Sequence, residues 1–281
     1  MVRSFDWYKD MTAHCRRWAR MNLPGRIAFR RPSNDREWSP EVAVFPEIVF
    51  ENPGTVRIRH IRNFRYRSVS EYTPDYFDRV IHLSRIETVW FVVEPFSLIA
   101  AHTFLSFGLD DGTYVAISVE IRKQTGQVFS QFMVLSFLRR HELIYVIGDE
   151  RDLIKLRTNY RRDDVYLYPV QVPPEKVREL FVDMLKRAKR LQRHPEFYHP
   201  FTNTCLTNLV MHANAVAPRR VPWSYQIWIA VYADKLAYAI GLLDRSLPFR
   251  QLRRKCHINH RALLYADDPD FSSLIRRDTE T

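Results

Sequence analysis

Nucleophilic chemistry needs an activated side chain, and the scarcest candidate in this chain is cysteine, present at positions 15, 205 and 256. Their separation rules out a C-x-x-C redox or metal motif, and an odd number leaves at least one free thiol. Cys205 stands in HPFTNTCLTNLVMHAN (199–214), where a polar turn gives way to helix-forming residues. Thr202, Asn203 and Thr204 are all capping types, so a helix begins close to the sulfur. The free N–H groups and positive dipole end of that helix lower the thiol pKa from its usual value of about 8.5 and make it a nucleophile. The alternative is a buried structural thiol, because free cysteine is among the most buried residue types.

A thiol nucleophile needs a base within hydrogen-bond reach. His194 and His199 lie in a proline-flanked loop of underivable geometry, and His212 is about 10 Å along the same helix at 1.5 Å per residue. With Cys205 these histidines match none of the usual zinc spacings, so neither a metal nor another cofactor is expected. The segment HTFLSFGLDDGTYVAISVEIRK (102–123) offers a better base. If Gly112 takes the left-handed position of a three-residue loop, Leu109 faces Thr113 and the pairing runs back until His102 faces Glu120. Both then share a face with Phe104, Ser106, Tyr114, Ala116 and Ser118, while Leu105, Phe107, Val115, Ile117, Val119 and Ile121 form a buried apolar face. A helix bearing Cys205 and packed on the more polar face would let His102 act as base and Glu120 orient its ring. Two alternatives stay open. One is a surface His and Glu pair on a half-exposed hairpin; the other is a two-residue loop at Asp111 and Gly112, which sends the two side chains to opposite faces.

Gathering three such residues takes a sheet and a helix, and the chain has material for both. Its 281 residues are 46% hydrophobic and 14% aromatic, which excludes a disordered chain and suits one enzyme-sized domain. β-like runs begin at TVRIRHI (55–61) and continue through VIHLS (80–84), TVWFVVE (88–94), LIYVIGD (143–149) and DVYLYPVQV (164–172). Pro173 and Pro174 then suit a helix start, and Val177, Leu180, Phe181, Met184, Leu185, Ala188 and Leu191 make one apolar stripe. Lys176, Arg178, Lys186, Arg187, Lys189, Arg190 and Arg193 supply a solvated or headgroup-contacting outer face. Near the start, Trp7, Met11, Cys15, Trp18 and Met21 recur at helical spacing among basic residues, so residues 1–36 read as a basic amphipathic helix and linker before a domain over 37–281. The net charge of +11 favours an anionic partner, either nucleic acid or a phospholipid surface. The most apolar stretch, 89–109, is interrupted by Glu94, Pro95 and His102 and falls short of the roughly 18 residues of a spanning helix. With no apolar leader at the start either, the chain as given is expected to be soluble.

Taken together, IRNFRYRS (61–68), AHTFLSFG (101–108), AISVEIRK (116–123), ELIYVIGDERD (142–152), LRTNYR (156–161), FTNTCLTN (201–208) and GLLDRSLPF (241–249) resemble the Lnb N-terminal periplasmic domain family. This bacterial group is allied to permuted papain-like, NlpC-type thiol enzymes, and the resemblance runs from about residue 37 to DPDFSSLIRR near the end. It implies an α+β, permuted papain-like fold: an antiparallel sheet packed against the cysteine helix, with further peripheral helices. It also implies Cys205 as nucleophile, His102 as base and Glu120 as the residue that orients it. The family usually has Asn directly before the cysteine, whereas this chain has Thr204 there and Asn203 one place earlier. The function implied is acyl transfer through a thioester, from a phospholipid or other acyl ester to an amine such as a lipoprotein N-terminus, or to water, at a membrane surface in the periplasm. A thiol peptidase or amidase acting on cell-wall peptide shares the same three residues and is the alternative. A basic nucleic-acid-binding protein is a more distant one, marked by steep salt dependence, and no nucleic-acid partner is expected.

Overall fold

The alternating runs between residues 86 and 148 pair with one another and form the centre of a sheet. The structure, a computed structural model, describes residues 31–127, 141–222, 224–277 and 279. The helix expected around Trp7 to Met21, with Cys15, lies outside the described residues. Two compact units divide the chain, Met1–Pro32 and Ser33–Thr281. Within the second, Ser33 and Arg36 bond to Glu142, and Asn34 bonds to the Leu191 carbonyl.

Along that unit run β1 (Glu47–Asn52), β2 (Thr55–Arg62), the short ribbon of β3 (Arg65–Tyr66) and β4 (Tyr72–Thr73), then β5 (Tyr76–His82) and β6 (Ile86–Pro95). β7 (Ala101–Leu109), β8 (Tyr114–Arg122), β9 (Glu142–Gly148) and β10 (Tyr166–Pro169) follow. Ribbon apart, these make an eight-stranded sheet in the order β1-β2-β9-β8-β7-β6-β10, with β5 on β2. The β2 and β9 contact at Arg62↔Gly148 is parallel, and the other pairings are antiparallel.

The β7–β8 hairpin settles the register. Gly112 sits at φ +75°, a conformation that disfavours any residue with a Cβ. Its N–H donates to Leu109 O at 3.1 Å, and Leu109 N donates to Thr113 O at 2.9 Å. Bonded pairs then run from Gly108↔Tyr114 to Phe104↔Ser118, so the three-residue loop is the one adopted. Carried two steps further, the same register sets His102 opposite Glu120.

Helices cover both faces of the sheet. α1 (Glu150–Lys155) runs on as a π-helical turn, Leu156–Arg161, and is followed by α2 (Pro174–Arg193) and α3 (Cys205–Val216). α4 (Ala233–Ala239), α5 (Phe249–Lys255), α6 (Asn259–Leu264) and α7 (Phe271–Leu274) follow among the described residues. All seven residues of the expected α2 stripe are buried. With Leu206 and Leu209 of α3 they pack on the face made by Leu105, Phe107, Val115, Ile117, Val119 and Tyr145. The opposite face carries Trp90, Val92, Phe104, Ala116, Ile144 and Val146 and is closed by Leu153, Ile154, Ile258, Ala262, Phe271 and Ile275. The more polar face of the hairpin is therefore a second core, not the half-exposed surface of one alternative: Phe104, Ser106 and Ser118 are fully buried there.

Candidate functional site

The cysteine helix begins on a reciprocal cap. Thr207 N donates to Thr204 Oγ1 at 3.1 Å, Thr204 N donates to Thr207 Oγ1 at 2.7 Å, and Cys205 is the first helical residue. Asn208 N opens the helical ladder on Thr204 O. The amides of Cys205 and Leu206 are the first-turn donors that a helix leaves without intrahelical partners. Asn203 does not reach toward the thiol. Its amide donates to Phe197 O at 2.9 Å and its oxygen accepts from Asn208 Nδ2 at 2.8 Å, which pins the loop entering the helix.

α3 does not pack on the polar face of the hairpin, as the sequence reading expected, but on the apolar one, where Cys205 joins the cluster of Leu105 and Val119. The physical reason is that Leu206 and Leu209 of α3 bury against the apolar side chains there. β7–β8 bonding stops at Phe104↔Ser118, and beyond it a cavity of about 520 Å³ takes lining from both faces of the two strands: Ala101 and Val119 from one, His102 and Glu120 from the other. Cys205 enters this cavity from the helical layer. Thiol, imidazole and carboxylate thus share one cavity although helix and ring approach from opposite sides.

Three adjacent strands place Glu94, His102 and Glu120 side by side, through the Glu94↔His102 pair and the continued hairpin register. His102 Nε2 lies 2.7 Å from Ser118 Oγ and 3.1 Å from Glu120 Oε1, and Ser118 Oγ donates to the same carboxylate oxygen at 2.7 Å. Stacking on Phe104, with ring centroids 5.7 Å apart, further fixes the imidazole. The Nδ1 edge is the one that neither Ser118 nor Glu120 holds. Arg157, on the π-helical turn, donates from Nη2 to Glu120 Oε1 at 2.8 Å and from Nε to Glu94 Oε2 at 2.6 Å, and its Nη1 is held by Leu153 O. One buried guanidinium therefore ties two of the three strands together at the site.

These contacts set the charges. Burial opposes the His102 imidazolium, yet the Glu120 charge and the nearby Cys205 sulfur raise its pKa well above the ordinary histidine value. Burial likewise opposes the Glu120 carboxylate, and His102 with Arg157 and Ser118 hold it well below the usual range. Cys205 follows the same logic: burial disfavours the thiolate, but His102 and the Thr103 backbone N–H outweigh it, and the pKa falls below the ordinary thiol value. The site thus favours thiolate beside imidazolium, the pairing used in nucleophilic catalysis by cysteine.

Of the histidines near Cys205 in sequence, His212 serves the core and His199 the entering loop. His212 is fully buried and lies 2.6 Å from both Tyr145 Oη and Asp183 Oδ2, while His199 lies 3.0 Å from Thr202 Oγ1 in the entering loop. Cys256 is buried, and burial pushes its thiol up to about 12. Among the described residues no cluster of three or more His, Cys, Asp or Glu side chains could hold a metal ion, and no helix is long and apolar enough to cross a membrane. Arg157, Glu94 and Ser118 escaped the sequence reading. Ser118 was legible as a residue on the His102 face, but nothing in the spacing of LRTNYR points Arg157 at strands β6 and β8.

A family model described as the Lnb N-terminal periplasmic domain matches residues 72–231, a span that contains His102, Glu120, Arg157 and Cys205. No curated protein and no solved structure matches the chain.

Proposed function

Because the chain belongs to the Lnb N-terminal periplasmic domain family, we propose that it is a periplasmic thiol enzyme of permuted papain-like fold, in which Cys205 carries an acyl group from a phospholipid ester to an acceptor. The observation that carries this reading is the single cavity shared by Cys205, His102 and Glu120. The Cys205 thiolate attacks the ester carbonyl, and the developing oxyanion is received by the first-turn amides of α3. As the carbon–oxygen ester bond breaks, the His102 imidazolium gives its proton to the departing glycerol oxygen, leaving a lysophospholipid and a thioester on Cys205. An amine, such as the N-terminus of a lipoprotein, then attacks the thioester carbon, His102 takes the amine proton, and the thiolate departs. Glu120 orients the ring in both halves and stabilises its charged form when that form is present, and Arg157 keeps Glu120 ionised.

Water in place of the amine turns transfer into hydrolysis, and a peptide in place of the ester turns the enzyme into a peptidase or amidase. Incubation with phospholipid, with phospholipid plus a diacylated lipopeptide, and with cell-wall stem peptides, followed by mass spectrometry of the products, separates the three. The proposal expects lysophospholipid in the first two and an N-acylated lipopeptide in the second. Stem-peptide cleavage with no lysophospholipid would replace it with the peptidase reading.

A further inference from the structure

Between β6 and β7 the chain turns at 96–100, and the turn presents its apolar side chains outward. Leu98 is 92% exposed, Ile99 66% and Phe96 46%. The backbone of the turn is closed from within: Phe96 N and Ser97 N both donate to Ala100 O at 3.2 Å, and Ser97 Oγ accepts from Ala100 N at 2.9 Å and from Ile99 N at 3.4 Å. Each N–H held within the turn in this way is one fewer to strip of water when the tip enters an apolar phase. Its position is equally specific. Phe96 and Ala101, at its two ends, line the cavity that holds Cys205 and His102, together with Lys123 and Arg161. The two basic side chains, 35% and 42% exposed, pair with Glu41 at 2.7 Å and Glu94 at 3.6 Å, and the chain as a whole carries +11.

We propose that the tip formed by Phe96, Leu98 and Ile99 inserts into the surface of an anionic phospholipid bilayer and seats the cavity mouth against it. The apolar side chains leave water for the acyl region while the positive charge of the chain meets headgroup phosphates. A second copy of the chain would also cover the tip, but each copy carries +11 and the two repel, whereas an anionic bilayer attracts that charge and accepts the apolar side chains. The inference rests on the reading of the cavity as a lipid-ester site and supplies its route: the acyl ester passes from bilayer to thiol without crossing water.

The test is co-sedimentation with phosphatidylglycerol-containing vesicles, using the full chain with Cys205→Ala to prevent turnover. The tip variant adds Leu98→Ser and Ile99→Ser; a control instead adds Leu263→Ser and Leu264→Ser, whose leucines on α6 are 59% and 62% exposed. Binding should weaken about a hundredfold in the tip variant, the effect of withdrawing two aliphatic side chains from an apolar phase, and stay at the parent level in the control. Equal binding by tip variant and parent, equal loss in tip variant and control, or a tip-dependent dimer with no vesicle binding would each overturn the proposal. Cys205 acylation in the native chain by a water-soluble short-chain ester reads the chemistry separately. Its absence would count against the lipid-ester reading even where vesicle binding depends on the tip.

Discussion

At the scale of single residues, the proposed chemistry needs a proton that sits on His102 rather than on Cys205. Against the cost of burial, the Glu120 charge and then the Cys205 sulfur raise the imidazole, while His102 and the Thr103 N–H lower the thiol. A neutral alkylating agent reads the thiolate directly. In the native chain the Cys205 alkylation rate should reach half its maximum below the ordinary thiol value of about 8.5. Glu120→Gln removes the charge that holds the imidazolium; His102 then gives up its proton at lower pH, the thiolate loses its partner, and the midpoint moves up toward the ordinary value. Peptide mapping of iodoacetamide time courses between pH 5 and 10 distinguishes the two profiles. Cys256 serves as an internal control, since burial keeps that thiol protonated and it should stay unmodified in the folded protein.

Two local devices at the scale of elements put the reacting groups in place. The Thr204 and Thr207 cap fixes where α3 begins and thus puts Cys205 in its first turn. Thr204→Ala should cost about 1 kcal/mol in denaturant unfolding, and Thr204→Asn, which restores a strong capping type, should cost little. In the hairpin, Gly112 occupies left-handed backbone, and Gly112→Ala should destabilise by about 1–2 kcal/mol in the same measurement. These devices are also why so much was legible in the sequence. A capping run before Cys205, an Asp-Asp-Gly turn flanked by alternating residues, and the 177–191 stripe are local signals, and local hydrogen bonds enforce them. The face on which α3 packs was not legible. Nor was the cavity that joins thiol to ring: it opens where the β7–β8 ladder ends at Phe104↔Ser118, and no residue pattern within the hairpin encodes the point at which two strands part.

The whole molecule adds what no element contains. A sheet sandwiched between two helical layers buries both faces, so polar groups at the site must be satisfied by groups from distant parts of the chain. Arg157 answers that need, 3% exposed beside a Glu94 that is 2% exposed. Removing one partner of such a pair leaves an uncompensated buried charge, so Arg157→Met should cost about 3–5 kcal/mol by chemical denaturation. This long-range coupling explains why Arg157 was invisible in the sequence: its partners lie 63 and 37 residues away.

Acylation of Cys205 is read by intact-mass spectrometry of the protein after incubation with phospholipid. The native chain should gain the mass of one acyl group, labile to hydroxylamine, while Cys205→Ala gains none and His102→Ala gains it much more slowly. An unmodified native chain, or an adduct that survives in Cys205→Ala, would contradict the account.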